Sequence, residues 1–381
     1  MEEVITNLAR YAEIKIIYEG VNITQDLAPF LINFTFNDNS GDKSDDINLT
    51  LQDRDLHWLN DWMPSKGDTI NASIITHDFI GENVTLELPC GTFQVDEISY
   101  KAPPHTIEIK AASTAVKGSS IRERHNKAWE NIKLKSIASD IAESNNLELF
   151  YDVDDDYYIE RREQIERSDL DFIKTLCANY DLSVKVSDNK LIIFSEEKYH
   201  DKDSVLTIKN GSDYVINYSF SSKSSQVYNK AHVRYHHAVK DELFDIEEDD
   251  DSVEGSERTL EINERVENES EARTLAKKKL SEANSREITG NITLLGNVKL
   301  LAGVNVTLEG FGMFDGKYLI ESVSHKVTQG FTSTLNLKMG SDEKKAVKSR
   351  KKSKQTKRKG NVRGSVKPEN INYEGMKFYG D

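Results

Sequence analysis

At 381 residues the chain can hold two or three domains, each with its own core. Its 37% hydrophobic and 30% charged content lies in the globular range. No apolar run approaches the ~18 residues of a transmembrane helix. The start, MEEVITNLARY, is acidic and short of an apolar h-region, so neither a membrane span nor a secretory signal is expected. The net charge of −15 is uneven: from Ser341 to Asp381 thirteen Lys/Arg face five Asp/Glu, a net +8, which leaves −23 on residues 1–340. Such a body argues against a general nucleic-acid surface, because phosphate contacts come from Lys and Arg. It suits a protein that lets polyanions slide past without sticking. Two cysteines, Cys90 and Cys177, fit a reducing cytoplasm with no disulfide.

Residues 1–115 read as all β. Ile14/Ile16/Tyr18, Phe30/Ile32/Phe34/Phe36, Ile47/Leu49/Leu51 and Ile70/Ala72/Ile74 each fall on one face of a strand. Val84-Leu86-Leu88, Phe93-Val95 and Ile107-Ile109 follow as three more, and Leu56, Trp58, Leu59 and Trp62 predict a short helical turn. At least six short strands predict a small barrel or sandwich.

Residues 116–200 are mixed. Leu134, Ile137, Ala138, Ile141 and Ala142 give an amphipathic helix, and Leu147-Leu149-Tyr151 a strand. Ser168 with Asp171 reads as a capping box. It opens a helix with Leu170, Ile173, Leu176, Cys177 and Tyr180 on one face, and a hairpin turning at Asp188-Asn189 comes next. Residues 201–340 return to β, interrupted by one helix from about 270 to 284. The acidic segment 242–257 reads as a mobile loop, and the basic tail 341–381 as disordered low complexity.

Four segments then carry a resemblance. Gln164, Ser168-Asp169-Leu170-Asp171-Phe172 and the hairpin after them resemble the central segment of the phage late control protein D family. That family supplies the baseplate hub of contractile tails and shares its fold with the hub portion of the type VI secretion spike protein. IRERHNKAWENIKLKSIASDIAESNNLEL from Ile121, DINLTLQDRD with Pro103-Pro104, and FDGKYLIESVSHKVTQGFTSTLNL from Phe314 to Leu337 resemble it in the family's order. The resemblance spans about 10 to 340 and lies in strand pattern, with no catalytic motif.

Possible chemistry is sparse. Asp152, Asp154, Asp156, Ile159 and Glu163 have the ligand spacing of an EF-hand loop, but Tyr157 stands where the turn needs Gly and no helix precedes it, so a solvated acidic loop is expected. His232 and His236 share a strand face ~13 Å apart, too far to hold one ion. His325 reads as a hydrogen-bonded packing residue. No nucleophile elbow, P-loop, Cys-x-x-Cys or His-Glu-x-x-His occurs. Neither enzyme activity, nor a cofactor, nor a metal is expected. In the tail, Lys351, Lys352 and Arg358 followed by Tyr373, Phe378 and Tyr379 form a basic run with an apolar anchor, a candidate partner-binding segment.

The expected fold is mainly β: two β-barrel-like domains (1–115 and 201–340) flanking a small α+β connector (116–200). The resemblance implies a structural hub, homotrimeric, joining a sixfold tail tube to a threefold spike. Its implied partners are the tail tube or tube-initiator protein, a separate central spike protein, and tape measure and baseplate wedge proteins. No sequence-specific nucleic acid and no stable membrane insertion are expected. It would be made in the host cytoplasm and assembled into a virion or tail-like particle. A hub with cell-wall-degrading activity and a monomeric carbohydrate-binding β module are the alternatives.

Overall fold

The computed structural model describes residues 10–340, apart from 42, 80, 82, 114–120, 181, 188, 196–197, 200–201, 224–226, 238–240, 251–252, 254–256, 267 and 286. The fold is mostly β, as the alternating patterns predict. The first strands are β1 (Tyr11–Tyr18), β2 (Val21–Asn22), β3 (Leu31–Asn39), β4 (Asp46–Gln52), β5 (Thr69–His77), β6 (Thr85–Lys101) and β7 (Thr106–Ser113), with one short helix, α1 (Thr24–Leu27), between β2 and β3. Ile14, Ile16, Phe34, Phe36, Ile47, Leu49, Leu51, Ile70, Ile74, Ile107 and Ile109 point inward to one core. Each such side chain contributes about 1.5–3 kcal/mol of burial. The two strands expected over 84–95 are a single strand, β6. Its ladder with β5 shifts register at Ala72/Ser73, and opposite lies Gly91, at φ +108, so a bulge bends the strand where the sequence reads as a break.

The middle unit comprises β8 (Arg124–Lys133), α2 (Leu134–Ser144), β9 (Glu148–Asp152), β10 (Tyr158–Ser168), α3 (Asp169–Ala178), β11 (Leu182–Ser187) and β12 (Lys190–Ser195). The helix and hairpin stand as expected. The Ser168 hydroxyl accepts the Asp171 N–H at 3.1 Å and donates to the Asp171 carboxylate at 2.8 Å, so the cap is closed through side chains. β11, β12 and β9 form a small sheet in which β9 runs parallel to β12, and α2 and α3 share its core. β8 and β10 pair as a separate antiparallel ribbon that the sequence did not announce.

The last strands are β13 (Ser204–Lys209), β14 (Val215–Ser222), β15 (Lys230–His237), β16 (Glu242–Asp249), β17 (Thr259–Ile262), β18 (Ile288–Leu295), β19 (Asn305–Glu309), β20 (Gly316–Val327) and β21 (Phe331–Met339), with α4 (Glu269–Ser285) ahead of β18. Half of the expected acidic loop is a strand. In β16, Phe244 and Ile246 pack toward α4, and Glu248, next on the same face, meets Arg273 of that helix at 3.0 Å. On the opposite face Asp245 pairs with His232, while Glu247 and Asp249 pair with Lys230. Asp245, Glu247, Glu248 and Asp249 sit in a strand because His232, Lys230 and Arg273 stand opposite them.

β20 joins the halves. Its first residues pair with β19 (Leu319 opposite Asn305), and from Ser322 to Val327 the same edge pairs with β3, Val327 lying opposite Phe34. Among the described residues one thirteen-stranded sheet results, ordered β14-β18-β21-β20-β3-β4-β7-β6-β5-β1-β2, with β13 and β19 branching from β20. Val327 and Phe331 accordingly pack into the first core, not the last.

Candidate partner-binding surface

β14 ends the large sheet. Among the described residues its one strand neighbour is β18. Alternation along β14 puts Tyr218 and Phe220 on one face, opposite Ile292 and Gly290 of β18, and Ile216, at a register shift, and Tyr218 are about half exposed. The Phe220 ring lies over Gly290 of β18, where an added Cβ would come within 2.7 Å of it. Beside these strands the loop 310–315 is held by Gly310 and Gly312, both at positive φ, and by the Asp315 carboxylate, which accepts the Phe311 N–H at 2.6 Å. The loop thereby offers Phe311 edge-on to Tyr218 (5.0 Å between centroids) and stacks Phe314 on Phe220 (4.9 Å). Tyr218, Phe220, Phe311 and Phe314, with Asn210, line an open concavity of about 550 Å³. Met313 stands exposed beside it.

A second apolar patch lies on the first half of the sheet. The buried Asp53 carboxylate accepts the N–H groups of Trp58 and Leu59 (both 3.1 Å) and the Tyr100 hydroxyl (2.9 Å). These bonds fold 53–63 into a compact loop of turns. Trp62 stacks on His57 and meets Phe30 edge-on, and Leu59, Trp62 and Met63 remain exposed. Exposed aromatics held rigidly in this way are the usual anchors of protein interfaces.

Buried charges fix the units to each other. Lys185 of β11 reaches Asp38 at 2.8 Å and Asp45 at 2.9 Å. Asp38 also accepts the Ala302 N–H at 2.8 Å, and Asp45 the Ser187 hydroxyl at 3.0 Å, so all three regions meet here. Burial opposes the Lys185 charge, but the two carboxylates outweigh it and hold its pKa up; burial raises that of Asp45. Arg162 of β10 pairs with the buried Glu271 at the start of α4.

His325 is a packing residue, as expected. Its ring bonds Ser333 Oγ and the Leu300 carbonyl, both at 2.9 Å, and burial pushes its pKa down to about 4. His232 lies between Asp245 (2.6 Å) and Glu261 (2.9 Å), and His236 meets Asp241. Glu163 of the EF-hand-like pattern lies within β10, away from the Asp152–Asp156 turn. Asp152 and Asp154 are bridged by Lys198 instead. Among the described residues no group of three or more His, Cys, Asp or Glu is placed to hold a metal ion. Cys90 and Cys177 are free thiols in separate cores. Lys351, Lys352, Arg358, Tyr373, Phe378 and Tyr379 lie outside the described residues. The β14 concavity was missed in the sequence, although Ile216, Tyr218 and Phe220 alternate there; the aromatics of 311–314 complete it only in three dimensions.

A family model described as the Alg8 N-terminal domain matches residues 94–329, well over half of the chain. The chain belongs to that family. The family's stretch runs from within β6 to the turn before β21, so it holds the middle unit and most of the last strands. Its name says nothing of a hub, but the curated relatives do. The probable baseplate hub protein of Escherichia phage 186 is 26% identical over 172 residues, 45% of this chain and 42% of that protein. Less than half of the relative's length is thus matched. In fold, the 43 kDa tail protein of prophage MuSo2 from Shewanella oneidensis is similar with a TM-score of 0.65 at 14% identity, over 87% of this chain and 99% of that one. An E. coli type VI secretion component, described as similar in structure to the phage T4 tail proteins gp27 and gp5, follows at 0.50 and 11%, over 81% and 73%. The resemblance read from residues 10–340 and these relatives agree on phage tail and baseplate hub proteins.

Proposed function

We propose that this chain is a structural baseplate hub of a contractile phage tail or tail-like particle, a trimeric adaptor between a sixfold tube and a threefold spike. The hub name of the phage 186 relative and the tail-protein fold along 87% of the chain support the assignment to a tail. The observation that carries the adaptor role is the edge-to-edge union of two sheet halves through β3 and β20. Three such chains would present six sheet units to a sixfold ring while keeping threefold symmetry toward a spike. Its role is mechanical, without catalysis. Its partners are the tube or tube-initiator protein, a separate spike, and tape measure and wedge proteins, with the basic run around Lys351, Lys352 and Arg358 meeting an acidic partner surface.

Light scattering on the full chain, alone and co-expressed with a candidate spike protein, tests this. The expected mass is near three times 43.3 kDa, or a three-to-three complex. A monomer in both preparations would remove the adaptor mechanism and favour a monomeric binding module. Peptidoglycan release that disappears when a single acid is mutated would overturn the non-catalytic reading.

A further inference from the structure

Among the described residues one edge of β14 carries no strand partner, and the aromatic concavity is lined from the same strand. Such an edge invites another strand, and proteins leave few of them uncovered. Where the chain leaves the described structure decides what covers it. Met339, the last residue of β21, lies opposite Tyr318, and the Tyr318 ring is 6.5 Å from that of Phe220 in the concavity. The remaining chain, from residue 341, therefore starts beside this surface.

Thirty-one residues separate Met339 from Ile371, where the sequence turns apolar with Ile371 and Tyr373, then Met376 and Phe378, each pair at period two. In an extended segment Ile371, Tyr373 and Tyr379 would share one face, with Met376 and Phe378 on the other. Thirty-one residues of random coil would span about 30 Å end to end, which would keep the apolar segment at roughly millimolar effective concentration near its exit point. The tether itself is strongly basic, and the body it would lie against carries −23, so attraction holds it close.

We propose that residues 371–379 of the chain's own tail add as an extended strand to the free edge of β14, seating Ile371, Tyr373 and Tyr379, which share one face, in the concavity of Tyr218, Phe220, Phe311 and Phe314. Main-chain bonds to β14 supply affinity and the aromatic pocket supplies register, as in other cases of strand addition. The inference stands independently of the hub reading, since it concerns one chain alone.

Hydrogen exchange on the full-length protein tests it, comparing wild type with the tail variant Tyr373→Ser/Phe378→Ser/Tyr379→Ser, which leaves the described fold untouched. Alternate amides of β14 face the free edge, and these are expected to exchange at least tenfold faster in the variant. Tyr218→Ser, at a half-exposed position, is expected to reproduce that acceleration with the tail intact. The protection should not change with protein concentration. Equal exchange in wild type and variant would overturn the proposal. Protection that appears only as concentration rises would also overturn it, assigning the edge to a second copy.

Discussion

The Lys185 ammonium sits between Asp38 and Asp45, 2.8 and 2.9 Å away, where β3, its connection to β4, the helix–hairpin unit and the segment before β19 meet. Removing one member of a buried ion cluster leaves the others charged without a partner. Lys185→Met is expected to lose about 3–5 kcal/mol in urea unfolding. The deficit should narrow as pH is lowered, because burial already raises the Asp45 pKa and protonation relieves the orphaned charge. A variant as stable as wild type would show that the cluster holds nothing together.

His325 gives the protein an acid-sensitive element. Its folded-state pKa, about 4, lies below the ordinary 6.5. At pH 7 the ring is neutral whether the chain is folded or unfolded. Between about 6.5 and about 4 the unfolded chain takes up a proton that the folded one refuses, so stability falls with pH, by up to about 3 kcal/mol. His325→Leu should be weaker at pH 7, having lost bonds to Ser333 and Leu300, yet lose less on acidification. Parallel stability curves from pH 7 to 4.5 would contradict the assignment.

Two glycines should respond differently to Ala. At Gly296 a Cβ would lie 1.9 Å from the ring of Phe331, which is buried in the first core. Gly296→Ala is expected to cost about 3 kcal/mol or more. At Gly290 the ring in the way is Phe220, which borders an open concavity and can swing aside, so about 1 kcal/mol is expected. Thermal melts of the two variants should rank in that order.

Ser168→Ala removes the cap of α3 and should cost about 1 kcal/mol, read by urea unfolding. Ser168→Asn, which keeps an acceptor at the cap, should recover most of it.

The strands that were legible in the sequence bury one face. Phe34/Phe36, Ile47/Leu49/Leu51 and Phe331/Ser333/Leu335/Leu337 alternate because every second side chain enters a core. The capped helix and its hairpin were legible for the same local reasons. β8 and β10 were not. Their ribbon buries little beyond Trp129, Ile159 and Gln164, so charged residues occupy both faces and no period stands out. β16 was hidden by its acids, whose compensating cations come from β15 and α4, remote in sequence. The pairing of β20 with β3 has no local signal, since each strand alternates in the same way whichever neighbour it takes. The candidate surface followed suit: its aromatics were visible one by one, and their meeting was not.

The shared strand also sets an order on synthesis. Ser324 of β20 bonds Asn37 of β3 across 287 residues, so the edge of β3 that β20 occupies stays open until a ribosome has delivered almost the whole described chain. During that interval the nascent protein presents a strand edge to its surroundings, and a product truncated before β20 presents it permanently. Completing the first sheet and completing the last are one event, and only chains read through to Val327 and Phe331 seal both.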